Sequence, residues 1–114
     1  MNFRREESLM IVELEREIDF SNSIEIKRNI RGEFLGKQKN LILDISNVEF
    51  MDSSGVGVFI SLLKTVNLKE GKMAIVNPNE EVEFVLRMTK VEEIIPIYRS
   101  MFEAKQFMEE ICHE

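Results

Sequence analysis

The sequence predicts an α/β fold, in which a mixed, mainly parallel β-sheet of four to five strands is covered by about four α-helices. Two observations support this prediction. Short runs of branched aliphatic residues alternate with segments long enough for helices, which is the pattern of successive strand–helix–strand units. The chain has 114 residues, 44% of them hydrophobic, so residues 1–114 are expected to form one domain around one core.

The first half of the chain contains three predicted strands and one predicted helix. The run from Leu9 to Leu14 is apolar apart from one acid and predicts a strand, with which Phe3 to Arg5 pairs as a short edge strand. Asn22 is expected to begin a helix, and Glu25 three residues later completes the pattern of a capping box. Leu41 to Ile45 is the clearest buried strand.

The longest helix is predicted from Ser53 to Lys69, and a strand follows it from Lys72 to Val76. Asn77 is expected to cap the next helix, because Pro78 then occupies the first helical position, where proline is tolerated. This helix is expected to end near Lys90.

Two short patterns complete the chain. The segment from Ile95 to Tyr98 contains a proline and predicts an edge strand, since proline has no N–H to donate to a ladder and is tolerated only at the edge of a sheet. Ser100 and Glu103 have the spacing of a second capping box, which begins the last helix.

Charge and composition exclude several classes of function. Fifteen Lys and Arg against 21 Asp and Glu give a net charge of −6, which favours a partner with positive charge and argues against nucleic acid. No window approaches the ~20 apolar residues of a membrane span, and the start does not resemble a signal peptide. Cys112 and His113 are the only residues of their types, so no metal site is expected. A single cysteine also suits a reducing, cytoplasmic location.

Three catalytic or phosphate-handling classes fit poorly as well. A serine hydrolase would need a Gly-x-Ser-x-Gly elbow and a histidine that is not the penultimate residue. A receiver domain would need a phosphoacceptor Asp after a central strand, whereas Asp44 lies within one. The Gly-x-x-x-x-Gly-Lys pattern that holds nucleotide phosphates is missing. We therefore expect no catalytic residue and no cofactor.

The loop between the most apolar strand and the longest helix is where a parallel sheet gathers its binding residues. Asp52 or Ser53 can cap this helix, which puts Ser54 in a first turn whose free N–H groups and positive dipole end favour an anion. Gly55 and Gly57 would leave the turn open to a phosphate or to a partner's backbone. Ordinary helix capping has the same pattern, so these residues alone leave both interpretations open.

Acidic residues concentrate in two stretches that a parallel sheet can bring to one edge. Residues 40–63 contain no Lys or Arg, and their acids are Asp44, Glu49 and Asp52. The end of the earlier strand carries Glu13, Glu15, Glu17 and Asp19. The sequence therefore predicts an acidic rim near Ser54, with a merely solvated edge as the alternative.

Val58 and Leu62 are apolar but fall outside the core-facing stripe of the longest helix at about 100° per residue. Two such residues one turn apart, on the helix that begins with the serine pair, suggest a partner-binding surface. Burial beneath another helix of the same domain is the alternative.

The run Leu41-Ile-Leu-Asp-Ile-Ser-Asn-Val-Glu-Phe-Met-Asp-Ser-Ser-Gly-Val-Gly57 resembles the signature of the STAS domain, specifically that of bacterial anti-sigma factor antagonists. The similarity extends from about Leu9 to Phe107. It implies a non-enzyme in which Ser54 accepts a phosphate, Asp52 is its acidic neighbour and Asp19 lies near the docking rim.

The resemblance also implies the partners. Unphosphorylated, such a protein binds an anti-sigma factor that is also a Ser/Thr protein kinase, and so frees a sigma factor for transcription. Phosphorylation by the kinase ends the complex, and a phosphatase resets the cycle. A scaffolding or sensory STAS protein without direct sigma-factor control is the alternative.

One residue departs from the family pattern. The family usually has Gly before its Glu-Leu/Ile-Asp segment, and this chain has Arg16 there. Because glycine permits a tight bend or bulge, the local backbone or the docking rim is expected to differ.

Overall fold

Five strands form one sheet that four α-helices cover, which confirms the predicted architecture. The computed structural model describes residues 1–112, with side chains as far as Glu109, so the expectations about Cys112 and His113 fall outside the described side chains. The strands are β1 (Asn2–Glu6), β2 (Leu9–Ile18), β3 (Asn40–Met51), β4 (Met73–Val76) and β5 (Ile97–Tyr98). The helices are α1 (Ser23–Glu33), α2 (Ser53–Leu68), α3 (Glu80–Met88) and α4 (Met101–Cys112), with a short 3-10 helix at Val91–Glu93.

The strands lie in chain order across the sheet, with β1 antiparallel to β2 and all other neighbours parallel. Crossovers between parallel strands are right-handed, so α1, α2 and α3 all cover the same face. α4 covers the opposite face, where Ala104 and Met108 pack against Ile11 and Ile42. The carboxyl ends of β2 and β3 therefore meet at one edge, and so do the loops that lead into α1 and α2.

β2 and β3 are both longer than the apolar runs that predict them. β2 continues to Ile18 and β3 to Met51, and these two residues pair in register. Only some of the side chains in these extensions are buried, so no continuous apolar run marks them in the sequence. The pairing of β2 with β3 shifts register twice, the second time directly after Arg16, and at both places the extra residue lies on β3. Such bulges bend the strand that carries them.

Asn22 precedes α1 as predicted, but its side chain does not cap this helix. Its Oδ1 accepts a hydrogen bond from the backbone N–H of Asp19 at 2.9 Å, and its Nδ2 donates to the carbonyl of Glu17 at 2.8 Å. The predicted capping box of Asn22 with Glu25 is therefore wrong. The asparagine closes the loop between β2 and α1 instead.

The cap of α3 is Asn79 and not Asn77, so that prediction is also wrong. Oδ1 of Asn79 accepts a hydrogen bond from the N–H of Val82 at 2.8 Å, while its Nδ2 donates to the carbonyl of Val48 at 3.1 Å. Asn77 has a φ of 54°, which turns the chain before the helix can begin. The contact with Val48 lies outside the local sequence and favours Asn79 as the cap.

α4 begins as the sequence predicts, because Oγ of Ser100 accepts a hydrogen bond from the N–H of Glu103 at 3.2 Å. Among residues 1–112, no helix combines the length and the apolar character that crossing a bilayer requires.

Candidate functional site

Asp52 caps α2 and also holds the loop between β2 and α1. Its Oδ1 accepts a hydrogen bond from the N–H of Ser54 at 2.8 Å, and its Oδ2 accepts one from the N–H of Phe20 at 3.2 Å. The N–H of Asp52 itself donates to the carbonyl of Ile18 at 3.2 Å. Of the two candidate caps, Asp52 and Ser53, the structure uses Asp52. One carboxylate thus holds the start of α2 and the β2–α1 loop together at this edge of the sheet.

The two serines at the start of α2 differ in their surroundings. Ser53 is exposed, whereas Ser54 is half-buried beside the β2–α1 loop. The N–H of Ser54 is bonded to Asp52, but its Oγ has no hydrogen-bond partner within the part of the chain that the structure describes. The Ser54 hydroxyl is therefore free to meet a second molecule in the positive field of the helix start.

Ser54 lies in a groove of about 510 Å³ between α1 and α2. Phe20 and Ile24 supply exposed apolar surface to this groove, with 84% and 63% of their area accessible, and Ile60 adds a partly buried side chain. Sequence reasoning missed Phe20 and Ile24 as site residues. The only signal for them was that each is a large apolar residue beside a polar segment, and this pattern does not distinguish core from surface.

Lys27 and Lys64 line the same groove. Neither lysine forms an ion pair with any described side chain. Of the predicted acids, Glu15, Glu17 and Glu49 gather around a separate cavity of about 500 Å³, whereas Glu13 and Asp44 pair in register within β2 and β3. Asp52 does lie against Ser54 as part of the predicted acidic rim, but the residues that line the groove are apolar, small or basic, so the acidic rim lies beside the groove and not within it.

Asp19 shapes the turn that presents Phe20. Its Oδ1 accepts hydrogen bonds from Oγ of Ser21 at 2.6 Å and from the N–H of Ser21 at 2.9 Å. The hydrogen bond from the Ser21 hydroxyl is the main reason why the pKa of Asp19 is lowered from its ordinary value of 3.8. The backbone carbonyl of Asp19 accepts bonds from the N–H groups of Asn22 and Ser23, which leads the chain into α1.

The two glycines of α2 have different roles. Gly55 is buried, and a Cβ built on it would clash with Met51 and approach Cγ2 of Ile18 to 3.0 Å. Gly55 is therefore needed for internal packing, and the expectation that it lets a partner approach is wrong. A Cβ on Gly57 would meet nothing within 4 Å, and this exposed residue lines the groove. No contact with the described residues requires a glycine at this position. Alanine would also be more favourable than glycine in a helix by about 1 kcal/mol.

Val58 and Leu62 are buried, with 3% and 1% of their area exposed, so they do not form the exposed apolar surface that the sequence suggested, although Val58 lines the groove beside Gly57. α1 packs against this side of α2, which is the alternative that the sequence left open. Arg31 of α1 holds the two helices together, since its Nη2 donates to Oγ of Ser61 at 2.6 Å and its Nε donates to Oγ1 of Thr65 at 3.1 Å.

Arg16 has a φ of 65°, in the left-handed region that favours glycine. The backbone thus has the conformation that a glycine would adopt, and the arginine occupies it under strain. An arginine in place of the family's usual glycine therefore leaves the backbone conformation unchanged. Its effect on the acidic rim comes from the Arg16 side chain, which lines the cavity formed with Glu15, Glu17 and Glu49.

Within the described residues, no three His, Cys, Asp or Glu side chains are grouped so that they could hold a metal ion.

The sheet order, the single antiparallel edge strand and the capped serine pair together define a STAS domain. Residues 1–104 match this family, and the chain belongs to it. A candidate anti-sigma factor antagonist of Thermotoga maritima is 37% identical over 106 residues, which are 92% of this chain and 91% of that protein. The anti-sigma F factor antagonist of Paenibacillus polymyxa is 34% identical over 91 residues, 79% of this chain and 78% of that protein. Within the family, the chain groups with anti-sigma factor antagonists, which are regulatory proteins.

Solved structures agree with this assignment. The crystal structure of the Thermotoga maritima protein has a TM-score of 0.88 at 31% identity and covers 95% of this chain and 93% of that chain. The Bacillus antagonist SpoIIAA in its unphosphorylated form has a TM-score of 0.82 at 21% identity, with 95% of each chain covered. SpoIIAA in its phosphorylated form has a TM-score of 0.71 at 20% identity, with 92% of this chain and 96% of that chain covered. At such identities the SpoIIAA structures show the shared fold alone.

Proposed function

We propose that this protein is an anti-sigma factor antagonist that is switched by phosphorylation of Ser54. Unphosphorylated, it binds an anti-sigma factor that is also a Ser/Thr protein kinase, and so regulates transcription through a sigma factor in the cytoplasm. The kinase phosphorylates Ser54 and is released, and a phosphoserine phosphatase restores the binding form. The observation that supports this most is the free, half-buried hydroxyl of Ser54 beside exposed Phe20.

The relatives support the proposal at two points. The Paenibacillus polymyxa protein is named for sigma F control, which suggests an anti-sigma factor as partner. SpoIIAA has been solved with and without phosphate, which suggests that a protein of this fold can carry one without losing it.

The charge of a phosphate gives the switch a physical mechanism. A phosphoserine adds about −1.5 to −2 charges. The first turn of α2 stabilises part of that charge, so Ser54 can carry it without unfolding the domain. A partner packed over the groove would instead meet a bulky anion where a hydroxyl was accommodated. A loss of about 3–4 kcal/mol would weaken binding a few hundred-fold.

Incubation with the purified kinase and ATP, followed by peptide mass mapping, tests this function. We expect one phosphate on Ser54, its loss in Ser54→Ala, and normal phosphorylation of the matched control Ser53→Ala. Phosphate on Ser53 alone, or none on the wild-type protein, would overturn the assignment.

One observation favours the second candidate, a scaffolding or sensory STAS protein. Phe84 and Met88 lie one turn apart on α3 and expose 58% and 67% of their area, outside the α1–α2 groove. A second apolar surface is what a protein with several simultaneous contacts would use. A large homo-oligomer in light scattering, together with no kinase binding, would favour this candidate.

A further inference from the structure

We propose that the groove between α1 and α2 binds a segment of the partner that carries an apolar side chain near Ser54 and carboxylates further along, which pair with Lys27 and Lys64. The proposal rests on the proposed function, because it identifies which chemistry of the kinase is recognised beside the phosphorylation site.

The apolar end of the groove is presented on a well-held backbone. Phe20 is fixed through its N–H to Asp52, and the turn on which it lies is held by Asp19 and Asn22. Its ring is nevertheless 84% exposed, and Ile24 one turn further on is 63% exposed. Large apolar side chains on a rigid backbone lose little entropy when a partner covers them, so this end suits an apolar anchor.

The groove also carries two lysines, Lys27 about one turn after Ile24 on α1 and Lys64 further along α2, in a chain whose net charge is −6. Arg31 lies close by but is engaged with Ser61 and Thr65 of α2. Lys27 and Lys64 have no such partner among the side chains described, so their charges remain available to an outside carboxylate. Each can pair with a carboxylate at little reorganisation cost, because no internal ion pair has to break.

The length of α2 sets the spacing of the two features. Ten residues separate Ser54 from Lys64, which corresponds to about 15 Å along a helix. The carboxylate that pairs with Lys64 is therefore expected some 15 Å from the residue that approaches Ser54, whereas the one that pairs with Lys27 is expected about one turn beyond Ile24. Phosphorylation of Ser54 and the ion pair with Lys64 therefore act on different parts of the same bound segment.

Gly57 lies between the two ends and lets the partner's backbone approach α2. No internal contact explains this glycine, since a Cβ there would meet open space. Alanine would suit the helix better, so a close approach from outside is what its small size provides.

Carbodiimide cross-linking of the complex with the purified kinase tests the proposal, because this reagent joins amines directly to contacting carboxylates. We expect peptide mapping to find Lys27 and Lys64 joined to Asp or Glu of the kinase. Cross-links on Lys37 or Lys39 instead, or none on Lys27 and Lys64, would overturn the proposal.

Affinity measurements provide the second arm. The double variant Lys27→Glu/Lys64→Glu should weaken kinase binding about tenfold or more, and binding should then depend less on salt. The control Lys37→Glu/Lys39→Glu changes the net charge equally at the opposite edge of the sheet, in the exposed α1–β3 loop, and should bind like the wild type. If the two double variants weakened kinase binding equally, specific pairing with Lys27 and Lys64 would be excluded.

The two proposals fail in different ways. If the kinase phosphorylates Ser54 but neither lysine pairs, only the groove proposal falls. If the kinase does not bind the wild-type protein, the proposed function falls and the groove proposal falls with it.

Discussion

The backbone N–H of Phe20 donates a hydrogen bond to Oδ2 of Asp52 at 3.2 Å, and this bond joins two segments that lie 32 residues apart in the chain. The other oxygen of the same carboxylate holds the N–H of Ser54 at 2.8 Å. One side chain therefore positions the exposed aromatic ring and the proposed phosphoacceptor together. Any partner that covers Phe20 has to approach Ser54.

Loss of this carboxylate should cost stability at both segments. We expect Asp52→Ala to lower the free energy of unfolding by about 0.5–2 kcal/mol, the usual range for a lost helix cap. Asp52→Asn should lose about half as much, because its single carbonyl oxygen can still accept from Ser54 but the amide cannot accept from Phe20. Urea unfolding measures both variants. An Asp52→Ala protein as stable as the wild type would contradict the bridging role.

The strain at Arg16 predicts a stabilising substitution. A left-handed residue other than glycine costs roughly 1–2 kcal/mol, part of which is offset by the larger unfolded-state entropy of glycine. Arg16→Gly should therefore raise the free energy of unfolding by about 0.5–1 kcal/mol. Arg16→Ala removes the same side chain but keeps the strain, so it serves as the control in the same urea experiment. If the Arg16→Gly protein is no more stable than the Arg16→Ala protein, the backbone at this position is not strained.

The two glycines of α2 should respond to alanine with opposite signs. Gly55→Ala should destabilise the protein by about 1–3 kcal/mol, because its methyl group overpacks Met51 and Ile18. Gly57→Ala should stabilise it by about 1 kcal/mol through helix propensity. Thermal unfolding measures both changes. Gly57→Ala should still bind the kinase more weakly than the wild type, and unchanged affinity would argue against a close approach at this residue.

The lowered pKa of Asp19 predicts a pH effect with a defined sign. Because the folded pKa lies below the unfolded value, the stability that Asp19 contributes is present above the unfolded pKa and is lost as pH falls through the folded pKa. Ser21→Ala removes the main stabilising hydrogen bond, so it should raise the pKa of Asp19 towards 3.8. Carboxyl titration by NMR checks both statements. A pKa of Asp19 that Ser21→Ala leaves unchanged would assign the shift to another cause.

Local patterns in the sequence were sufficient for the fold and for the position of Ser54. The strand–helix alternation predicts the order of the elements, and the junction after the most apolar strand contains the cap of α2. These features depend on neighbours within a few residues. The pairing of β1 with β2 was likewise predictable, because a two-residue turn joins them.

The composition of the groove depends on tertiary packing and was not predictable. Val58 and Leu62 are buried in the main core on the helix against which α1 packs, whereas Ile24 of α1 remains exposed. A helical wheel of α2 carries no information on where α1 packs. Similarly, the local sequence does not distinguish Asn77 from Asn79 as the cap of α3. Asn79 is favoured because its side chain also donates to the carbonyl of Val48, which is distant in the chain.

The affinity of the kinase for the two forms of the protein tests the central claim most directly. Calorimetry should be performed with the protein carrying one phosphate on Ser54 and with the unmodified protein, under identical salt conditions. The account predicts that the phosphate weakens binding a few hundred-fold, equivalent to about 3–4 kcal/mol. Affinities that agree within about twofold would contradict it, because Ser54 would then not be the switch.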